Sequence, residues 1–541
     1  MPESIIRIAS QPGIKRDGTK FEGDAYVDGQ WCRFQRGLPR KIGGYRSINK
    51  YLNGCVRTLH EYTQDNLTYI HAGSANLIER FFISGTFNTS SIIDRTPGAG
   101  FTANDSNLWQ FDVAYDTTDG SQIVAQVAPN LLCVCNSEGG ALFTGDLLAT
   151  TALTQVTTVP ANFNCTGGVV TLPPYTFAFG NDGYVAWSVP NTPNDFTGSG
   201  AGNAYISGQK VVRGMPLRGG PGNSPSGLFW TADALIRASY VGSTQIFQFD
   251  TISSQSSIMS AASVIEYDGI FYWVGTDRFL MFNGVVREIE NNLNSNFFFD
   301  NINMAYRQKM FAMKVPRFGE IWWCYPSGDS TEPNHALILN VRDNIWYDTE
   351  LPNEGRSAGL FPAVFRRPLM AGSLPYSVVD EERLTESGGL YRVTEDGISY
   401  RVTEESGTLQ YRFWVHEVGT DEIDGININP IESYFETADI SLPAQSGQNR
   451  AMQVLMLEPD FVQAGPMTVQ VRGRANARAP EVDGIIMTIS ESASVPGEQV
   501  VFLKTQRREL RFLFASNCIG GDYQMGLVLA HVQPGDGTTL G

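Results

Sequence analysis

The chain has 541 residues, of which 42 % are apolar and only 18 % charged, and its 39 lysines and arginines are outweighed by 56 acids to a net charge of −17. This excludes a coiled coil, which is dominated by Ala, Glu, Lys and Leu, and a disordered chain, which would lack 31 Phe, 21 Tyr and 9 Trp. A generic nucleic-acid binder, basic overall, is excluded as well; with 55 Gly and 27 Pro, a large, turn-rich, mainly β protein remains.

Met1 to Gln11 reads MPESIIRIASQ, without the apolar run of a secretory leader. No stretch reaches the roughly 18 apolar residues of a membrane-spanning helix, so neither feature is expected. Residues 1–50 carry ten Lys/Arg against five acids, a net of +5 that leaves −22 for the rest. This reads as a basic N-terminal arm with a docking role, its candidate contacts being Arg33, Arg36, Arg40, Lys41 and Arg46. Such a cluster can neutralise nucleic-acid phosphates or meet an acidic protein surface. Without a DNA- or RNA-binding motif, protein docking is the preferred reading.

Residues 51–379 repeat one pattern, a short β-branched or aromatic run followed by a Gly/Asn/Asp turn. The clearest copy is VIEYDGIFYWVGTDRFLMFNGVVREI, in which turns at Tyr267-Asp268-Gly269, Gly275–Arg278 and Asn283-Gly284 define a four-stranded meander. Asn283-Gly284 is expected to form a two-residue type I′ turn. A second unit spans Gly319 to Asp348. Repeated meanders of this size predict a β-propeller, with an array of β-sandwiches as the competing architecture. Apolar Phe298, Ile302, Ala305 and Met310 predict a connecting helix within 292–313.

Residues 380–412 hold a nonapeptide repeat, with Arg383…Glu386, Arg392…Glu395 and Arg401…Glu404 each followed by glycine. It predicts a short β-repeat insertion, either a solvated protrusion or a surface on which those six residues meet a partner. Residues 413–541 return to alternating strands and are expected to complete the β body.

Seven cysteines, an odd and thin count, predict reduced, packed thiols made in a reducing cytosol, with Cys133 and Cys135 on one strand face. No catalytic constellation is evident. The five histidines have no HxxxH spacing, and there is no GxSxG elbow, P-loop or CxxC pair. GGPGNSPSG at 219–227 lacks the lysine of a phosphate cradle. Trp322-Trp323 would point to opposite strand faces and so reads as core rather than as a sugar platform. No enzymatic activity, cofactor or metal is expected.

Several segments resemble a known family: Trp31–Tyr45 (WCRFQRGLPRKIGGY), Gly269–Gly275 with Phe279–Gly284, Tyr434–Asp439 (YFETAD), and Ile519–Gly526 with Pro534–Gly537. Together, and in this order, they resemble the packaged-DNA stabilisation proteins, or tail nozzles (hubs), of short-tailed bacteriophages. The resemblance implies a β-propeller-containing subunit of a hexameric virion ring, assembled in the host bacterial cytoplasm. That ring would continue the channel of the portal-adaptor protein, retain packaged dsDNA and conduct it during ejection. Its implied partners are the adaptor, a needle or plug protein and a tailspike or tail fibre, with dsDNA passing through the lumen without specific binding. A host-glycan-binding or glycan-cleaving propeller at the tail tip is the alternative.

Overall fold

The computed structural model describes all residues except 1–3, 21–23, 65–66, 88, 106–107, 117–129, 162, 218–224, 243–244, 378–408, 442–450, 476–477, 492–499 and 536–541. The chain is mainly β, and its body is a β-propeller. Six consecutive antiparallel meanders of four strands form blades 1 to 6, with inner strands Val56–Gln64, Trp109–Tyr115, Gly168–Leu172, Val211–Pro216, Ile265–Tyr267 and Phe311–Val315. Blade 7 is assembled from Arg356–Leu360, Leu369–Ser377 and Leu409–His416, and its fourth strand is the N-terminal segment Tyr45–Leu52. The first strand of blade 7 packs against that of blade 1, so the ring closes after seven blades. The strand that locks it comes from the opposite end of the propeller sequence.

Each blade is buried on both faces, which is why its middle strands read as continuous apolar runs rather than alternating ones. Neighbouring residues feed different blade interfaces. Trp323 packs between blades 5 and 6 with Val274 and Leu337, whereas Trp322 faces blade 7 with Met370 and Trp414. Val169 and Val170 divide in the same way between the interface with blade 2 and that with blade 4. Both tryptophans are buried, as core side chains rather than a sugar platform.

Ion pairs add to ring closure. Arg57 of blade 1 pairs with Asp105, in the linker to blade 2, and with Glu332 of the blade 6 hairpin. Lys309, just before blade 6, bridges the same two carboxylates at 2.6 and 2.7 Å.

Local geometry departs from expectation at three places. The two-residue turn with both central residues at positive φ is Asp268-Gly269 (51° and 81°), joining the paired residues Tyr267 and Ile270. Asn283-Gly284 belongs instead to a three-residue loop closed by the Phe282–Val286 pair, where only Gly284 has positive φ. The connecting helix covers just Ser295–Asn301, because Ile302 turns extended (ψ 129°), and a 3-10 segment Met304–Lys309 follows. Cys135 and Cys165 are disulfide-bonded between blades 2 and 3, so the expectation of seven reduced thiols fails for that pair. Cys133 lies in the same cluster as both, as strand alternation requires.

A second β unit is built from both ends of the chain. Ser4–Ile8 pairs with Val528–Pro534, Asp28–Gln30 with Ser433–Glu436, and Leu38–Lys41 with Asp522–Met525. The first 50 residues are therefore not a free arm. Their apolar side chains, among them Ile14, Tyr26, Trp31 and Phe34, share one core with Phe435, Phe514 and Tyr523, and that core is continuous with the interface of blades 6 and 7. Close approach fixes the seam. A side chain at Gly13 (φ 111°) would lie 2.8 Å from the carbonyl oxygen of Trp346 in blade 6. Asp17 caps the short helix by accepting from the Asn296 and Phe297 amides at 2.8 and 2.7 Å. The boundary expected at 412/413 also shifts, since Leu409–His416 is one strand of blade 7.

Candidate functional site

The five basic residues expected to dock a partner divide into two groups. Arg33, on strand Cys32–Gln35, is 1 % exposed. Its guanidinium meets Glu320 at 2.9 Å, donates to Glu417 Oε2 at 3.1 Å and lies 3.7 Å over the Phe318 ring. Burial works against the charged guanidinium, but Glu320 and Glu417 outweigh it and hold Arg33 above its ordinary range. Glu320 also accepts from the Tyr347 hydroxyl at 2.6 Å and the Trp322 indole at 2.8 Å, and burial pushes its carboxyl up while Arg33 draws it down. Lys41 is likewise buried, donating to the Gly521 carbonyl at 2.8 Å, and burial lowers its pKa. Arg33 and Lys41 are thus internal latches and not docking groups. Their charges could be buried only because acids and carbonyls from distant segments receive them.

The other three reach the surface. Arg36 and Arg46 are exposed, Arg46 beside the Phe87 ring, and half-buried Arg40 donates to Gln35 Oε1 at 2.8 Å. Arg383, Glu386, Arg392, Glu395, Arg401 and Glu404 lie outside the described residues.

Three of the sequence motifs converge in space. The Trp31 carbonyl accepts from Ser433 Oγ at 2.9 Å, and Ser433 Oγ lies 2.8 Å from the Tyr523 hydroxyl. Gln524 pairs with Arg40, and Lys41 reaches Gly521. Beside them, Arg511 binds Asp439 at 2.7 Å and Glu436 at 3.3 Å. The segments 31–45, 434–439 and 519–526 thus form one structural centre, while 269–284 lies apart on blade 5.

A feature the sequence reading did not single out lies inside the propeller ring. A cavity of about 700 Å³ is walled by the inner strands of blades 1 to 4, with His60, Phe111, Asp112, Thr171, Arg213 and Met215 on its surface. Gln110 stands behind it, accepting from Arg213 at 3.3 Å and donating to the carbonyls of Val212 (3.2 Å) and Gly167. A second cavity of about 440 Å³ lies on the other side of Gln110. Asp112 accepts the Thr171 amide at 2.6 Å and its neighbour's amide at 2.8 Å, yet burial pushes its carboxyl up to about 6. His60, whose ring lies 6.0 Å from Phe111 and 27° from parallel with it, is brought down to about 4 by burial and by Arg213. Burial likewise lowers the pKa of Arg213. The available sequence signal was a charge interrupting an otherwise apolar inner strand, WQFDVAY and VVRGMP.

No family model matches the chain, and no curated protein matches it. Among the described residues, no group of three or more His, Cys, Asp or Glu is placed to hold a metal ion, and no helix is long and apolar enough to cross a membrane.

Proposed function

We propose that this chain is a non-catalytic virion subunit of the tail-nozzle type. Six copies form a ring that continues the channel of a portal-adaptor protein, retains packaged dsDNA and conducts it during ejection. The observation that carries this reading is the convergence of segments 31–45, 434–439 and 519–526 on one buried centre around Trp31, Ser433 and Tyr523. Segments that resemble one family in sequence are in mutual contact here, as a shared structural unit requires.

Charge supports the same reading. Every lysine or arginine set against phosphate adds salt-dependent affinity, so a conduit that lets a duplex slide should present few of them. Residues 51–541 carry −22. Arg36, Arg40 and Arg46 remain at the surface as the adaptor contacts, where complementary charge sets encounter rate and register more than affinity. The needle or plug and the tailspike or fibre are the further partners of this assembly.

Negative-stain imaging of the full chain mixed with its adaptor tests the proposal. Six-fold rings seated on the adaptor are expected, and a chain that stays monomeric in its presence overturns the reading. A second reading, a glycan-binding propeller, has one observation in its favour, the cavity within the ring of blades.

A further inference from the structure

We propose that the cavity between blades 1 and 4 is a binding site for a small organic monoanion, a carboxylate on an apolar or ring-shaped body, with Arg213 as its anchor. The proposal stands whether the chain is a nozzle subunit or a glycan binder.

The first argument is a guanidinium without a direct ion pair. Arg213 sits in the cavity wall, and the Asp112 carboxyl on the neighbouring inner strand acts on its charge without meeting it in an ion pair. Among the described residues its one hydrogen bond goes to a neutral amide oxygen, that of Gln110, at 3.3 Å. Its Nε is buried without a partner among them, and so is the hydroxyl of Thr171 on the adjoining strand. A half-buried guanidinium whose Nε is buried without a partner favours an anion beside it. Elsewhere in this fold buried arginines are met internally, Arg33, Arg57 and Arg511 by two or more carboxylates each and Arg95 and Arg356 by backbone carbonyls. At Arg213 the space for the anion is open.

The second argument is the chemistry of the remaining wall. Phe111, Val169, Leu172 and Met215 supply apolar surface, and the volume lies within the range of small-molecule sites. A ligand held by Arg213 would therefore carry an apolar or planar body against these side chains. Thr171 Oγ1 would complete its polar contacts.

The third argument limits the charge. The Asp112 carboxyl on the neighbouring inner strand already acts on Arg213, so each negative charge a ligand brings also meets that carboxyl. A monocarboxylate brings one such charge, whereas a phosphate dianion brings two.

Isothermal titration of the full-length chain at neutral pH with benzoate, glucuronate and inorganic phosphate tests the proposal. Saturable binding of one or both monocarboxylates is expected, with benzoate and glucuronate distinguishing a simple aromatic acid from a sugar acid. Affinity should fall about tenfold or more in Arg213→Gln, the loss of a charge-assisted hydrogen bond. Met215→Trp, which narrows the cavity and leaves every charge in place, should weaken binding too. That second variant decides the matter if Arg213→Gln disturbs the thermal transition. No saturable heat with either monocarboxylate, a phosphate response exceeding both, or unchanged affinity in the variants would overturn the proposal. Ring formation on the adaptor is a separate readout, so failure here leaves the nozzle reading standing and the reverse also holds.

Discussion

Arg33 and Glu320 are 287 positions apart, yet they meet at 2.9 Å with side chains 1 % and 0 % exposed. This pair joins the N-terminal part of the second β unit to blade 6, and Glu417 at the end of blade 7 completes it. A buried pair of this kind adds little net stability over an apolar replacement, but breaking it on one side strands a charge. It fixes which surfaces of the two units face each other.

Arg33→Met should therefore destabilise the fold by about 3–5 kcal/mol, because Glu320 is left buried without its cation. Adding Glu320→Gln to that variant should recover part of the loss. Chemical denaturation of the two variants beside the wild type measures it. A double variant no more stable than Arg33→Met alone would show that the loss comes from packing over Phe318 and not from the stranded charge.

The strand Tyr45–Leu52 closes the propeller by pairing with Leu409–His416, Ser47 lying opposite Trp414. Ser47→Pro interrupts that ladder in the paired stretch Tyr45–Ser47, which a register shift separates from the second paired stretch at Tyr51 and Leu52. A loss of about 2–4 kcal/mol is expected, with protease cleavage appearing first in blades 7 and 1. Cleavage sites spread evenly over the propeller would argue against this strand as the closing element.

Charge reversal separates surface from latch. Arg36→Glu, Arg40→Glu and Arg46→Glu together should leave the thermal transition within a few degrees of wild type while abolishing attachment to the adaptor. Arg33→Glu or Lys41→Glu should unfold the second β unit instead, since each places an anion where a buried cation now binds acids or a carbonyl. Wild-type attachment by the triple variant would remove these residues from the interface.

Two titrations in the cavity oppose each other. The Asp112 carboxyl is raised from 3.8 to about 6, so the folded state holds its proton more tightly than the unfolded state. That contribution is complete below about pH 4 and is lost as pH rises to about 6. His60 is lowered from 6.5 to about 4, so its contribution is present above about pH 6.5 and is lost as pH falls towards 4. Asp112→Asn should make stability drop more steeply on acidification through this window, and His60→Asn should flatten the drop. Denaturation midpoints collected from pH 4 to 7 give the comparison, and identical slopes in both variants and wild type would contradict it.

Local chemistry in the sequence was enough to specify the strands. Runs such as Phe271–Val274 and Ile321–Tyr325, set between Gly and Asn turns, define meanders because strand period and turn type depend on neighbouring residues. Even the separate fates of Trp322 and Trp323 follow from alternation alone. The type of the Asn283-Gly284 turn, by contrast, was set by register with the next strand, which pairs Phe282 with Val286 and so makes a three-residue loop.

What depends on residues in different blades or at opposite ends of the chain was settled only in three dimensions. The count of seven blades needed the strand Tyr45–Leu52 to cross from the N-terminal segment into the last blade. The bond between Cys135 and Cys165 needed blades 2 and 3 to stack. The open place beside Arg213 needed four inner strands to enclose a space. Above all, the +5 of the first 50 residues resembled a solvated arm because sequence shows charge but not compensation. Arg33 and Lys41 are interior residues since folding brings Glu320, Glu417 and the Gly521 carbonyl to them, and burying a charge is tolerable only where its partners have already been assembled.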